Sequence, residues 1–103
     1  MALTSIEFHV LLTLGGGPSH GYAIMRDVEK LTGGRLRIGP GTLYTAIKRL
    51  VTGRLIEECE AETDRRRCYR LTRKGRAVSA LEAQRLSDLV RAARKRGLLT
   101  SES

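Results

Sequence analysis

Gly39-Pro40-Gly41-Thr42-Leu43-Tyr44-Thr45-Ala46-Ile47-Lys48-Arg49-Leu50-Val51-Thr52 is the segment from which the rest of the chain is read. Leu43, Ala46, Ile47, Leu50 and Val51 recur at the spacing of one helix face, and Thr45, Lys48, Arg49 and Thr52 recur on the opposite face. Pro40 suits a first helical position, where its missing N–H has no intrahelical acceptor and its fixed φ is already helical; Gly39 is an acceptable cap. The outer face carries two cations and two hydroxyls and no carboxylate. These are the groups that phosphates and base edges require of a helix laid in a major groove. A solvated amphipathic helix has the same periodicity, so the flanking sequence has to decide.

With 103 residues the chain can bury one modest core, with room for an appendage that needs a second copy to cover it. Its formal net charge of +8 points to a polyanionic partner. The charge is concentrated. Residues 35–56 hold five basic and no acidic side chains, residues 57–64 hold five acidic and no basic ones, and residues 65–76 hold seven basic and no acidic ones. Two short cationic blocks of this kind are expected of a folded DNA-binding surface. No apolar run approaches the length of a membrane span and the N-terminus lacks the regions of a signal peptide, so a cytoplasmic protein with no membrane partner is expected. Cys59 and Cys68 fit no zinc or redox spacing; thiols in a reducing compartment are expected, with a bridge conceivable if the two fall on neighbouring strands.

Thr4 to Leu14 reads as a first helix, apolar nearly all round (Leu3, Ile6, Val10, Leu11 and Leu14 on one stripe, Phe8 and Leu12 on another) and so covered on more than one side. Gly15-Gly16-Gly17-Pro18 ends it. Ser19 is read as the cap of a second helix whose Tyr22, Ile24, Met25, Val28 and Leu31 form a core face, with Gly21 inside it marking a close approach to another backbone. Gly33-Gly34 stops it. Arg35-Leu36-Arg37-Ile38 alternates like a very short strand. Beyond the segment quoted first, Thr52-Gly53-Arg54 turns and Leu55-Ile56 re-enters the core. Glu57 to Glu62 and Arg67 to Leu71 then form a hairpin in which Glu58 or Glu60 can pair with Arg67 or Arg70, leaving Arg65 and Arg66 as cations at the tip. Thr72 caps a last helix from about Arg73 to Arg96, with Gly97 beyond it. This helix is longer than a small core needs. Its imperfect apolar stripe suits a symmetry mate.

The order helix, helix, outward-facing helix, hairpin, long helix is mainly α with a small β-hairpin, a winged helix-turn-helix plus a long C-terminal dimerisation helix. The residues that fill it are His20-Gly21-Tyr22, Leu31-Thr32-Gly33-Gly34, Pro40-Gly41-Thr42-Leu43-Tyr44, Leu50, Leu55-Ile56 and Tyr69-Arg70-Leu71-Thr72-Arg73-Lys74-Gly75-Arg76. Over roughly residues 4–80 they resemble the PadR family of bacterial transcriptional regulators, and the single C-terminal helix is similar to the small subgroup of that family. The resemblance implies a dimeric repressor whose third helix enters the major groove and whose wing touches the backbone or minor groove. It also implies a small aromatic effector bound near the dimer interface. Carried over by position, Thr42, Tyr44, Lys48 and Arg49 are the helix contacts to DNA, Tyr22 a phosphate contact, and Arg65, Arg66 and Arg67 the wing. Three positions depart from the family pattern. Thr45 replaces a proline and offers another hydroxyl, Arg54 stands where glycine is usual, and the wing tip lacks Gly and Pro. The chain has no Trp, and its last helix has no aromatic side chain to stack on a flat ligand.

The resulting assignment is a winged helix-turn-helix over residues 1–73, a dimerisation helix over 74–97 and a disordered tail over 98–103. DNA contacts are expected from Tyr22, Thr42, Tyr44, Thr45, Lys48, Arg49, Arg65, Arg66 and Arg67. The dimer interface is expected from Leu3, Ile6, Val10, Val78, Leu81, Leu86, Leu89, Val90 and Ala93. No cofactor, metal site or enzymatic activity is expected, since no acid pair, triad, phosphate loop or metal cluster occurs. The expected partners are a palindromic duplex and a second copy. The competing readings are a winged-helix protein-interaction module and a non-specific architectural DNA binder.

Overall fold

The computed structural model describes residues 2–59 and 67–100. The chain runs α1 (Ser5–Gly15), β1 (Ser19–His20), α2 (Gly21–Leu31), α3 (Pro40–Thr52), β2 (Ile56–Cys59), β3 (Cys68–Leu71) and α4 (Arg73–Lys95). It is mainly helical with a small antiparallel sheet, a winged helix with a long final helix.

α1 starts at a capping box. The Thr4 hydroxyl accepts from the Glu7 N–H, and the Glu7 carboxylate accepts from the Thr4 N–H. The all-round apolar character of α1 is answered by contacts with α2, α3, α4 and β3. Val10, Leu11 and Leu14 meet Ile24 and Val28 of α2, Leu43, Ala46, Ile47 and Leu50 of α3, and Leu55, Ile56 and Tyr69 in one core. Burial of these apolar side chains, at about 25 cal/mol per Å² removed from water, is the main force that sets the three helices together. Four apolar residues expected to be covered lie on the surface instead: Leu12, Tyr22, Leu31 and Val51 are 45%, 63%, 58% and 41% exposed. Each stands at the margin of its helix stripe, and the neighbouring elements do not reach that far.

The sheet corrects two expectations. Its order is β1-β3-β2, and the third strand is Ser19–His20, paired with Tyr69 and Cys68. Ser19 therefore does not cap α2; His20 stands at the cap and makes no side-chain capping bond. Arg35–Ile38 forms no strand and has no partner strand among the described residues. Its alternation is real in side-chain direction, for Leu36 and Ile38 pack on the core while Arg37 reaches Glu29 at 3.4 Å. In the wing, Ile56, Glu57, Glu58 and Cys59 face Leu71, Arg70, Tyr69 and Cys68. Among the described residues Glu57 pairs across the strands with Arg70 at 2.8 Å and Glu58 reaches Arg67 at 3.7 Å; Glu60 lies outside them. The same register corrects the expectation of thiols. Cys59 and Cys68 stand directly opposite, 5.0 Å apart at Cα, and form a disulfide.

The link between α3 and α4 explains the Leu71-Thr72-Arg73-Lys74-Gly75 segment. The Thr72 hydroxyl donates to the Arg54 carbonyl at 2.6 Å and accepts from the Gly75 N–H at 2.9 Å; Lys74 Nζ donates to the Gly53 carbonyl at 3.1 Å. A Cβ on Gly75 would fall on the Leu55 carbonyl oxygen. Two side chains of this segment, Thr72 and Lys74, and the missing side chain of Gly75 thus serve the turn that ends α3. That turn is a Schellman motif, with Leu55 N–H bonded to Leu50 O and Arg54 N–H to Val51 O. Arg54 occupies its left-handed position at φ 61°.

α4 has 23 residues and therefore runs about 35 Å. Gly75 is its buried residue, and Val78 is the apolar side chain of α4 that packs on the core. The helix ends in a second Schellman motif, Leu98 N–H to Ala93 O and Gly97 N–H to Arg94 O. The tail expected from residue 98 is described only as far as Thr100, and residues 101–103 lie outside the described residues. Among the described residues no helix is long and apolar enough to cross a membrane.

Candidate nucleic-acid interface

At about 100° per residue, the core stripe of α3 leaves Thr45, Lys48 and Thr52 at the centre of the opposite face, with Thr42 and Arg49 flanking on the side of α1 and Tyr44 on the side of α2. All of these are exposed. Their surroundings separate them. Among the described residues no carboxylate pairs with Lys48, which is an unneutralised cation on this face. The Thr45 hydroxyl donates to the Gly41 carbonyl at 2.9 Å, so toward a ligand it offers its acceptor lone pairs.

Arg49 is differently placed from Lys48. Its Nε lies 2.8 Å from Glu7 Oε2, and the Glu7 side chain is 1% exposed while that of Arg49 is 58% exposed. The contact is an ion pair at close range and not a well-aligned hydrogen bond, for among the described residues Glu7 Oε2 has no hydrogen-bond partner. The two sides of this pair line a groove of about 500 Å³ between the start of α1 and α3, together with Thr4, Ile6, Thr42 and Thr45. Glu7 was not foreseen. Its signal was present in Thr4-x-x-Glu7, a capping box at the head of an apolar helix.

On the other side, Tyr44 lies over the start of α2. A Cβ at Gly21 would come within 2.5 Å of Tyr44 Oη and 3.1 Å of its Cζ. The close approach expected at Gly21 therefore exists, but its neighbour is an aromatic side chain and not a backbone. Next to it Tyr22 is exposed, with the Arg26 guanidinium 5.8 Å from its ring centre. Tyr44, Tyr22 and Arg26 thus join the N-terminal half of α3 to the N-terminus of α2. Arg67, at the base of the wing, is engaged with Glu58. Arg65 and Arg66 lie outside the described residues.

The residues expected at a dimer interface separate into three groups. Val10 is fully buried in the core of its own chain and offers no surface to a second copy; its position on α1 faces α2 and α3. Leu3, Ile6 and Val78 are half-buried against that core. Leu81, Leu89 and Val90 are 73%, 55% and 40% exposed, with Leu86 and Ala93 half-exposed beside them. Elsewhere on α4, Glu82 is hydrogen-bonded by Arg85, which holds its carboxyl below the usual range, and Arg91 reaches Asp88 at 3.8 Å. Among the described residues no group of His, Cys, Asp and Glu could hold a metal ion.

The same architecture occurs in solved structures. A transcriptional regulator from Clostridium thermocellum is 25% identical, with 91% of this chain and 97% of that one covered and a TM-score of 0.77. A PadR family transcription regulator from Clostridium difficile R20291 shares the fold at a TM-score of 0.78 and 22% identity, over 89% of this chain and 97% of that one. An uncharacterized 37.1 kDa protein in transposon TN4556 of Streptomyces fradiae is 39% identical over 89 residues, 86% of this chain. The chain spans 25% of the length of that relative. Residues 10–81, from the middle of α1 through the wing into the first turns of α4, match the Transcriptional regulator PadR-like family, and the chain belongs to that family.

Proposed function

We propose that the protein is a sequence-specific DNA-binding transcriptional repressor that acts as a homodimer. The observation that supports this reading most directly is the outward face of α3, where Lys48 stands without a counter-charge among the described residues, flanked by hydroxyls and by the exposed Tyr44 and Tyr22. Lys48 supplies a phosphate or base contact, Thr42, Tyr44 and Thr45 add hydroxyl contacts, Tyr22 reaches a phosphate, and the wing cations Arg65, Arg66 and Arg67 hold the flanking duplex. Arg49 is shared between DNA and Glu7. The exposed stripe Leu81, Leu86, Leu89, Val90 and Ala93 meets its counterpart on a second copy, with Leu3 and Ile6 at the edge of the contact. Two α3 helices then address palindromic half-sites about one helical turn, or roughly 34 Å, apart. The setting is the cell interior, where the chromosome is. A small aromatic effector that releases the operator is the further component the family assignment suggests.

The test is fluorescence anisotropy on a duplex from the upstream region of its own gene and on a scrambled duplex of equal length, across a salt series. Own-promoter binding that persists at salt where the scrambled duplex is released supports the repressor. Coincident curves that fall steeply with salt mark a non-specific architectural binder. No binding to either points to a protein-interaction module built on α4. Aromatic compounds are then screened in the same assay for operator release.

A further inference from the structure

The disulfide of the wing lies where the fold does not need it. Alternation along β2 and β3 puts Ile56, Tyr69 and Leu71 toward the core and Glu57, Cys59, Cys68 and Arg70 on the opposite face. Across the sheet, register places His20, Cys68 and Cys59 in one row on that outer face, all three half-buried. The bridge joins the pair at the end of the described ladder, and its two cysteines are separated by 9 in sequence. It therefore closes the short segment that carries Arg65, Arg66 and Arg67 without touching the packed side of the sheet. Arg70, the cation further along β3 on the same face, is held by Glu57.

We propose that Cys59 and Cys68 form a reversible dithiol–disulfide site at the base of the wing that controls affinity for DNA, the disulfide form binding more tightly. The DNA half of this proposal rests on the function proposed above. A peroxide supplies the oxidation. One thiolate attacks a peroxide oxygen and breaks the O–O bond, giving a sulfenic acid and hydroxide. The second thiol displaces the sulfenic oxygen to form the S–S bond and releases water, so two sulfurs lose two electrons and the peroxide becomes two waters. A dithiol reductant reverses the change: its thiolate attacks one bridge sulfur, its second thiol resolves the mixed disulfide, and both cysteines return as thiols.

The experiment compares the purified chain after peroxide and after dithiothreitol, with two readouts: the initial rate of trypsin cleavage within residues 60–67, followed by mass spectrometry, and anisotropy on the own-promoter duplex. Reduction is expected to speed cleavage roughly tenfold, because the closed loop restricts the open conformations a protease needs. The DNA dissociation constant is expected to rise about three- to tenfold, the effect of leaving one or two side chains to be ordered on binding. Both values return on reoxidation, and the double variant Cys59→Ser/Cys68→Ser stays at the reduced values under either treatment. Cleavage that ignores the redox state overturns the site whatever the DNA result. Cleavage that responds while affinity does not overturns the control of DNA binding. A chain that binds DNA in neither state, yet whose cleavage still responds, sinks the DNA-binding reading and supports the redox control of the loop.

Discussion

Arg49 Nε stands 2.8 Å from Glu7 Oε2, so the outer face of α3 is tied to a carboxylate buried at the head of α1. Removing the guanidinium leaves a buried charge without its counter-ion, a change that costs more than the pair itself contributes. Arg49→Ala is expected to lower unfolding free energy by about 2 kcal/mol, below the range for fully buried pairs because Arg49 is itself half in solvent. In a Glu7→Gln background the same substitution should cost less by about 1 kcal/mol. A double-mutant cycle by denaturant titration measures this coupling; additive effects would remove the pair from the account.

Lys48 behaves oppositely, since nothing described in the fold relies on it. Lys48→Ala should leave the melting temperature unchanged and reduce the slope of log K against log salt by about one unit. The salt series on the operator duplex reads this directly. An unaltered slope would move the phosphate contact elsewhere.

Gly75 and Gly41 are both helical glycines with opposite expectations. At Gly75 a Cβ would collide with the Leu55 backbone, which is pinned by the Thr72 hydrogen bonds; Gly75→Ala should cost more than about 3 kcal/mol or abolish folding. Nothing lies within 4 Å of a Cβ at Gly41, so Gly41→Ala should stabilise by up to about 1 kcal/mol through helix propensity. Thermal melts of the two variants side by side decide whether backbone proximity or propensity governs each position.

Arg54 sits in the left-handed position of the turn after α3 at φ 61°. A non-glycine residue there costs roughly 1–2 kcal/mol, partly offset by the lower entropy of its unfolded chain. Arg54→Gly is therefore expected to raise stability by about 0.5 kcal/mol. A loss of stability in chemical denaturation would mean that the Arg54 side chain makes contacts that outweigh the strain.

Leu89 is 55% exposed at the middle of the α4 stripe. Leu89→Glu should convert a dimer to monomers in sedimentation velocity and weaken operator binding at least tenfold, because both half-sites must be held at once. A wild-type protein that already sediments as a monomer would refute the homodimer outright.

Much of the architecture was legible in the sequence because it is local. Pro40 at the start of α3, the period of the α3 core face and the cap at Thr72 are set by residues within a few positions of one another. The concentration of cations on α3 and beyond the acidic strand is likewise a property of the chain itself. Tertiary structure decided whatever depends on partners distant in sequence. Ser19–His20 became a strand only because β3 offers it a backbone edge, while Arg35–Ile38, with a better alternating pattern, has none among the described residues. Val10 could be assigned to the core and away from a second copy only once α2 and α3 were in place around it. Arg49 reads as a free cation in the sequence and is half committed to Glu7, a residue 42 positions earlier, through a pairing that no periodicity encodes. Cys59 and Cys68 became a bridge by register alone, because a hairpin that slips by one residue would turn the two sulfurs to opposite faces.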